Sequence, residues 1–393
     1  MRFLSTEREN MFVINVSTHE TPSPFYESFL QQLEIQSGVG ESTSDSSGSH
    51  PDPLIRKCLE GLLLSLTFRK NHQLAAMFQS LSDEEKHLEP THMADLVARA
   101  VQYIFRSKDD SSYMQFTLDD WHKFFQSLSE MEINQLREIV LSREVATHVL
   151  ARYRGFAALN FLYSQQISRP LRVGDIGCSL NYGLQATVTG GVWQPGVDSL
   201  NDMSRDQLLL NSLQAKTPPY EYALGIDIQE PDFDWVAACA YFSKYDDNKN
   251  MLGKYKTLVE DNQNSGIPVH TMVGDISHPG IIDTIRRQHT PNFHLMYGSM
   301  VLYQLSSEMR ERALQNISNL LGTNGMFVEL SFRNPDNWFL PWNTITSIRF
   351  KEGTELSRPF DWVEWDSSRC LQVKESQDFD EVNLRMANLR EAD

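Results

Sequence analysis

The chain of 393 residues carries 52 acidic against 35 basic side chains, for a formal net charge of −17, and its length suits about two or three domains. A hydrophobic content of 40% with 10% aromatic residues excludes a wholly disordered protein. The acidic balance disfavours the basic surface with which proteins grip nucleic acid phosphates, so we predict no nucleic acid partner.

The N-terminal part of the sequence predicts an acidic leader followed by a helical domain. Residues 1–53 end in a Gly-, Ser- and Asp-rich stretch typical of a flexible linker. From 54 to 167, apolar residues recur every three or four positions, which predicts helices and no long strand. Three capping boxes mark helix starts, at Ser82 with Glu85, Thr117 with Asp120, and Ser129 with Glu132. We expect this block to act as a cap that supplies substrate specificity.

After Pro170 the pattern changes to short apolar strands separated by helical stretches. The predicted strands are 171–177, 222–228, 269–275, 293–297 and 326–332. The predicted helices between them are 233–245, 280–288 and 306–321, the last stopped by Gly322. This alternation predicts an α/β domain over 168–375 with a parallel sheet covered on both faces. Antiparallel closing strands are expected at 344–350, 362–365 and 370–373, before an acidic helix or tail at 376–393.

Acidic residues and glycines follow the predicted strands, at the edge where open α/β sheets bind ligands. Asp175 opens a stretch of small residues (175–183) that lets the backbone approach a ligand. Asp227 ends the second strand and suits a ribose diol, whereas Asp275 ends the third and suits an exocyclic amine. The fourth strand ends in 297–299, where a substrate could meet a cofactor. Each acid also has a structural alternative, as a helix cap or turn residue.

The order of these features resembles the class I S-adenosylmethionine-dependent methyltransferases. The resemblance rests on acid-x-Gly after strand one, an acid after strand two, Gly-Asp after strand three and a Gly-containing turn at 321–327. Ser179 and Asn181 stand where the family's first motif usually has its later glycines. The resemblance covers roughly residues 145–375, and within the superfamily the chain is similar to an uncharacterised bacterial family of methyltransferase-like proteins. The segments 225–239 and 299–310 carry that closer similarity.

The resemblance implies a Rossmann-like fold with S-adenosylmethionine as cofactor. The resemblance implies twelve cofactor-binding residues, which would surround the methionine, ribose and adenine parts of the cofactor. They are Asp175, Gly177, Cys178, Ser179, Asn181, Asp227, Ile228, Gly274, Asp275, Ile276, Tyr297 and Gly298. Within that set, Asp227 would bind the ribose, Ile228 would contact the adenine, and Asp275 with Ile276 would hold the adenine edge. The candidate catalytic residues are Ser299, Tyr303 and Asn181. The interval from Asp175 to Asp227 is longer than usual in the family, which predicts an insertion at about 185–220 that acts as a lid or substrate loop.

We therefore expect an enzyme that methylates a small molecule. Attack at the aminopropyl carbon of S-adenosylmethionine, releasing methylthioadenosine, stays open as an alternative, as does a catalytically inactive binding protein. A serine hydrolase is disfavoured because Asn181 replaces the last glycine of the nucleophile elbow. A nicotinamide dehydrogenase is disfavoured because Ser179 and Tyr182 replace glycines of G-x-G-x-x-G.

The four cysteines are scattered, with no CxxC pair, and no two histidines are four residues apart, so we expect reduced thiols and no metal site. The N-terminus lacks the pattern of a signal peptide. The longest early apolar run, 62–66, is far shorter than the roughly 20 residues of a membrane span. These features predict a cytoplasmic protein with no membrane partner. The oligomeric state, including a homodimer, stays open.

Overall fold

The computed structural model describes residues 23–39, 50, 52–68, 71–81, 90–146, 149–193, 211, 217–239, 242, 251–289, 292–334, 341–368 and 370–389. Contacts along the chain divide it into two compact units. The first combines Met1–Val145 with Ala238–Tyr245, and the second combines Ala146–Ala237 with Asp246–Asp393. Residues 146–167, which the sequence analysis grouped with the helical domain, thus belong by their contacts to the second unit.

The first unit is helical. Its helices are α1 (Pro24–Ser37), α2 (Pro53–Thr67), α3 (His72–Ser80), α4 (Pro90–Ser107), α5 (Leu118–Ser127) and α6 (Glu130–Ser142). The capping boxes of Thr117 and Ser129 are confirmed, since each hydroxyl accepts the N3 backbone N–H while the N3 acid reaches back. The third predicted box, at Ser82, lies outside the described residues. Phe29 of α1 is fully buried against Phe78, so residues 24–37 of the predicted leader belong to the core of this unit.

The second unit is built on a nine-stranded sheet. Its strands are β1 (Leu171–Ile176), β2 (Tyr220–Asp227), β3 (Val269–Val273), β4 (Phe293–Ser299), β5 (Leu321–Phe332), β6 (Thr344–Glu352), β7 (Glu355–Leu356), β8 (Phe360–Trp365) and β9 (Val373–Glu375). Its helices are α7 (Arg154–Ser164), α8 (Tyr182–Thr189), α9 (Phe233–Ala238), α10 (Met251–Ser265), α11 (Ile281–Gln288), α12 (Ser307–Leu320) and α13 (Phe379–Ala387). A 3-10 turn at Leu150–Tyr153 precedes α7.

The strand order is β3-β2-β1-β4-β5-β6-β8-β9, with β7 paired to β6. Strands β1 to β5 are parallel, and β6, β8 and β9 are each antiparallel to the preceding strand in this order. The order 3-2-1-4-5 is that of a doubly wound Rossmann sheet. The predicted fold class, a Rossmann-like parallel sheet with antiparallel closing strands, is therefore confirmed.

Apolar side chains that alternate along the central strands pack into the core on both faces of this sheet. Val173 and Leu295 lie in one apolar cluster with Phe156 of α7. Leu224 and Phe327 point to the opposite face, in a second cluster with α11 and α12. Because β1 has neighbours on both edges and helices on both faces, its carboxyl end is held rigidly at the point where the strand order reverses.

Two boundaries differ from the sequence prediction. Gly322 does not cap α12, because Leu321 is already extended and pairs with Phe293, so sheet pairing ends the helix. The predicted strand at 370–373 is displaced to β9, because the Asp366 carboxylate accepts the N–H groups of residues 371 and 372 and holds them in a turn.

Two predicted segments fall largely beyond the described residues. The predicted insertion at 185–220 begins within α8, and its residues 194–210 and 212–216 lie outside the described part of the chain. The predicted helix at 233–245 is present as α9, and most of its remainder is likewise not described. Among the helices that are described, none combines the length and apolar character needed to cross a bilayer. The described His, Cys, Asp and Glu residues form no group of three that could hold a metal ion.

Candidate functional site

The turn between β1 and α8 contains three residues with left-handed backbones. Gly177 has φ +64°, Ser179 has φ +52° and Asn181 has φ +57°. The Gly177 N–H donates to the Ile226 carbonyl at 2.8 Å, and the Ser179 N–H donates to Asp227 Oδ2 at 2.7 Å. The turn is thereby fastened to the carboxyl end of β2. Gly177 has no alternative here, since any Cβ would overlap the Val301 side chain.

Asn181 supports this turn from beneath. Its side chain is fully buried, and Nδ2 donates to the His270 carbonyl and to Thr271 Oγ1, both at 3.0 Å. The amide thus links the turn to β3 across β2, where Gly225 leaves room for it. Asn181 stands where the first motif of the resembled family usually has a glycine. Asparagine is tolerated there because it can adopt the left-handed backbone conformation, and its side chain gains two hydrogen bonds.

Gly225→Ala should lower the free energy of unfolding by about 1–3 kcal/mol through overpacking. An added Cβ would lie 2.5 Å from Asn181 Oδ1 and 2.7 Å from Cys178 Sγ. In the Gly225→Ala background, Asn181→Gly should recover part of the loss, which a double-mutant cycle by chemical denaturation would measure. Gly322→Ala is the control in the same sheet, because its Cβ would meet only ordinary contacts at 3.6 Å or more. Additive effects, within about 0.5 kcal/mol, would contradict the coupling.

Asp175 is a buried acid at the next-to-last position of β1. It is 0% exposed, and the Tyr153 hydroxyl donates to its Oδ2 at 2.9 Å. Its Oδ1 has no hydrogen-bond partner among the described residues. Burial raises the pKa of Asp175 to about 8, a shift that the Tyr153 hydrogen bond opposes and the nearby Asp227 charge increases. At pH 7 this carboxyl group is therefore mainly neutral.

Asp227 ends β2 beside an exposed apolar surface. Its Oδ1 accepts the Gln229 N–H at 3.2 Å, and its Oδ2 is the partner of Ser179. Burial raises the pKa of Asp227, whereas these backbone hydrogen bonds lower it. Ile228 is 51% exposed and Val273, the register partner of Asp227 on β3, is 42% exposed. The exposed side chains of Ile228 and Val273, at the ends of β2 and β3, therefore lie on either side of the Asp227 carboxylate.

In the turn after β3, the side chain of Asp275 is hydrogen-bonded within the turn itself. Oδ1 of Asp275 accepts both the N–H and the hydroxyl of Ser277 at 2.7 Å. Gly274 donates its N–H to the Asp227 carbonyl at 2.7 Å, which brings this turn against β2. The side chain of Ile276 is buried in the apolar cluster under α11 and α12. Of the three predicted residues here, Ile276 faces the core.

The end of β4 contributes both interior and open side chains. Tyr297 is fully buried, stacks on Phe156 at 4.6 Å and donates its hydroxyl to Asn160. Gly298 is also in the interior. Ser299 opens into a pocket, and Tyr303 is half-buried with its ring edge-on to Phe332. Tyr297 is thus committed to contacts in the interior, whereas Ser299 reaches the pocket.

A small pocket adjoins the β1 turn. Its walls are Val149, Leu150, Arg152 and Tyr153 from the segment before α7, residues 177–180, 182 and 183 of the turn and α8, and Ser299. Cys178 lines it with a buried thiol whose pKa is raised by burial. The segment before α7 was missed from the sequence, since it carries no strand-end motif. The available signal was the pair of basic residues Arg152 and Arg154 at the start of the helix that precedes β1.

The chain matches no protein-family model and no curated protein. Among solved structures it is similar to PKMT2 from Rickettsia typhi in complex with AdoHcy, with 14% identity and a TM-score of 0.27 over 48% of this chain and 27% of that one. It is also similar to an S-adenosylmethionine-dependent methyltransferase from Clostridium acetobutylicum, with 11% identity and a TM-score of 0.26 over 62% and 81% of the two chains. A putative O-methyltransferase from Nostoc punctiforme shares 13% identity with a TM-score of 0.27, over 72% and 54%. The chain therefore spans about a quarter of the Rickettsia protein. The fold assignment itself rests on the strand order and register described above.

Proposed function

We propose that the carboxyl edge of the sheet binds S-adenosylmethionine and that the protein transfers its methyl group to a small molecule. The observation that carries this proposal is the Asp227 carboxylate, which lies at the carboxyl end of β2, the strand beside β1, and has two exposed apolar side chains next to it. A carboxylate there accepts hydrogen bonds from a ribose diol, and apolar surface beside it suits a purine face.

The β1 turn favours a nucleoside over a dinucleotide. Diphosphate groups need free backbone N–H donors after the first strand. Here the N–H groups of Gly177 and Cys178 point to the Ile226 carbonyl, at 2.8 and 3.4 Å, and that of Ser179 is taken by Asp227. The residues present therefore fit a ligand whose adenosine carries no phosphate.

The predicted contacts can be assigned to this ligand residue by residue. Asp227 would hold the ribose, with Ile228 and Val273 against the adenine. The Asp275 oxygen that Ser277 does not use would accept from the adenine amine. Gly177, Cys178 and Ser179 would border the methionine end through the pocket. Asn181, whose amide lies under the turn, acts in this proposal as a positioning residue for the turn.

When bound, S-adenosylmethionine supplies an electrophilic methyl carbon on its sulfonium. The work left to the chain is to align an acceptor and exclude water. Ser299 lines the pocket and is the candidate to orient the acceptor, with Tyr303 in the 3-10 turn that follows β4. Asp175, neutral at pH 7, adds little negative charge beside these groups. The cap role of the helical unit, a small-molecule acceptor, a homodimer and a cytoplasmic location stay predictions.

Asp227→Asn should weaken S-adenosylmethionine binding by about 10–100-fold, because charge-assisted hydrogen bonds to the ribose are lost. Calorimetric titration with S-adenosylmethionine and S-adenosylhomocysteine measures this loss. Asn can still accept the Ser179 N–H, so the melting temperature should stay close to that of the wild type. Asp283→Asn, an exposed acid on α11, is the matched control. An inert wild type, or equal affinities for wild type and Asp227→Asn, would reject the proposal.

A further inference from the structure

A cluster of three rings lies at the β3 edge of the sheet. It consists of Tyr222 on β2, His270 on β3 and His289, the residue that ends α11. The ring centres of the two histidines are 5.7 Å apart, and those of Tyr222 and His270 are 5.0 Å apart. His270 is exposed and His289 is half-buried, so the pair is open to ions from solution.

The contact between His289 and Tyr222 is of the kind that orients a metal-binding histidine. Nδ1 of His289 lies 2.6 Å from the Tyr222 hydroxyl. A histidine that binds a metal through Nε2 usually donates its Nδ1–H to a neighbouring oxygen, which fixes the tautomer and the plane of the ring. Burial raises the pKa of Tyr222 to about 12, so its oxygen is a neutral hydroxyl that can accept this bond.

The charge state of the cluster also suits a metal ion. Burial, together with the nearby His270, lowers the pKa of His289, which keeps its imidazole neutral at pH 7 as a metal ligand must be. Arg172 is the positive charge that acts on Tyr222. Its guanidinium donates two hydrogen bonds of 3.0 Å to the Glu221 carboxylate, which offsets that charge.

The spacing of the two imidazoles fits a shared zinc ion. Zinc binds imidazole nitrogens at about 2.0–2.1 Å in tetrahedral geometry, which holds the centres of two ligand rings roughly 5 Å apart. The observed 5.7 Å is slightly longer, and a small rotation of the exposed His270 side chain would close the difference.

We propose that His270 and His289 together bind a zinc ion, with Tyr222 as the positioning residue of His289. No group of three His, Cys, Asp or Glu residues is found in the described part of the chain, so water would complete the coordination. The ion would fasten β3 to the end of α11. The sequence predicted no metal site, because the two histidines are far apart in the chain and meet only when β2, β3 and α11 pack together.

Calorimetric titration of the metal-stripped full chain with zinc chloride tests the site. His270→Ala and His289→Asn should each weaken zinc binding by at least about tenfold, and Tyr222→Phe by about tenfold. The side-chain amide of His289→Asn can still pair with Tyr222, but it lacks the second ring nitrogen. His72→Ala, at an exposed position in α3, is the control and should bind zinc as the wild type does. Magnesium chloride should not bind here, because Mg²⁺ prefers oxygen ligands.

Thermal unfolding of the same variants separates metal binding from a structural role. Zinc should raise the melting temperature of the wild type and leave that of His270→Ala unchanged. A wild type that binds no zinc overturns the inference, as does equal zinc affinity in the wild type, His270→Ala and His289→Asn. Loss of zinc binding accompanied in every variant by a lower metal-free melting temperature also overturns it. The proposed function is tested separately, because these titrations contain no S-adenosylmethionine.

Discussion

Gly183→Ala should lower the free energy of unfolding by about 2–6 kcal/mol, because two costs combine at one position. An added Cβ would overlap three ring atoms of Tyr153. Overpacking of this kind costs about 1–3 kcal/mol. The ring cannot move aside freely, since its hydroxyl is the hydrogen-bond partner of Asp175. Loss of that partner for a fully buried group costs about 1–3 kcal/mol more.

Chemical denaturation of Gly183→Ala beside Gly253→Ala tests this expectation. Gly253 is also a helical glycine, in α10, and nothing lies within 4 Å of the position its Cβ would take. Gly253→Ala should therefore be neutral or stabilise by up to about 1 kcal/mol through helix propensity. Tyr153→Leu in the Gly183→Ala background should recover part of the lost stability. If Gly183→Ala and Gly253→Ala unfold alike, the close packing of α8 on Tyr153 is not as described.

Asp175→Asn should change how stability depends on pH. Burial raises the pKa of Asp175 in the folded protein to about 8, far above its value of about 3.9 in an unfolded chain. Between those two values the folded state holds a proton that the unfolded state has released, so raising the pH favours unfolding. The wild type should lose up to about 1.4 kcal/mol per pH unit relative to Asp175→Asn, from about pH 4 to about pH 8.

Denaturant titrations at pH 5, 6 and 7 measure the difference in slope between the two proteins. Asparagine keeps an acceptor for the Tyr153 hydroxyl and carries no titrating proton, so Asp175→Asn removes the pH dependence with little change in packing. Asp283→Asn, at an exposed position, should retain the slope of the wild type. Parallel pH profiles for wild type and Asp175→Asn would show that Asp175 is charged at neutral pH.

The strands of the sheet and the acids at their ends were predictable from local sequence. Short apolar runs followed by small or acidic residues occur at β1 to β4, and each acid lies next to the strand that its sequence position implies. The capping boxes at Thr117 and Ser129 were equally local, because hydroxyl and acid are three residues apart. Such patterns involve only residues that are close in sequence, so they can be recognised without knowledge of the fold.

The roles of individual side chains were harder to predict from the sequence. The sequence placed Asn181 among the catalytic candidates, yet its amide is committed to β3, about 90 positions along the chain. Tyr297 was expected at the cofactor, and its ring stacks on Phe156 in the interior. Asn181 lies in the turn after β1 and Tyr297 lies near the end of β4, but the direction of each side chain depends on the partners that the sheet brings near.

Local sequence thus defines where the candidate site lies, and the tertiary structure decides what the site is made of. Alternation and strand-end acids locate the carboxyl edge, since they reflect hydrogen bonding and burial within a few residues. The raised pKa of Asp175, the support that Asn181 gives to the β1 turn and the position of Arg152 beside that turn depend on contacts between distant segments. Burial and long-range pairing set the charge and orientation of these groups, and neither can be read from residue order. The pocket beside the β1 turn has no signal of its own in the sequence, because it is formed by three segments of the chain that meet only in the folded protein.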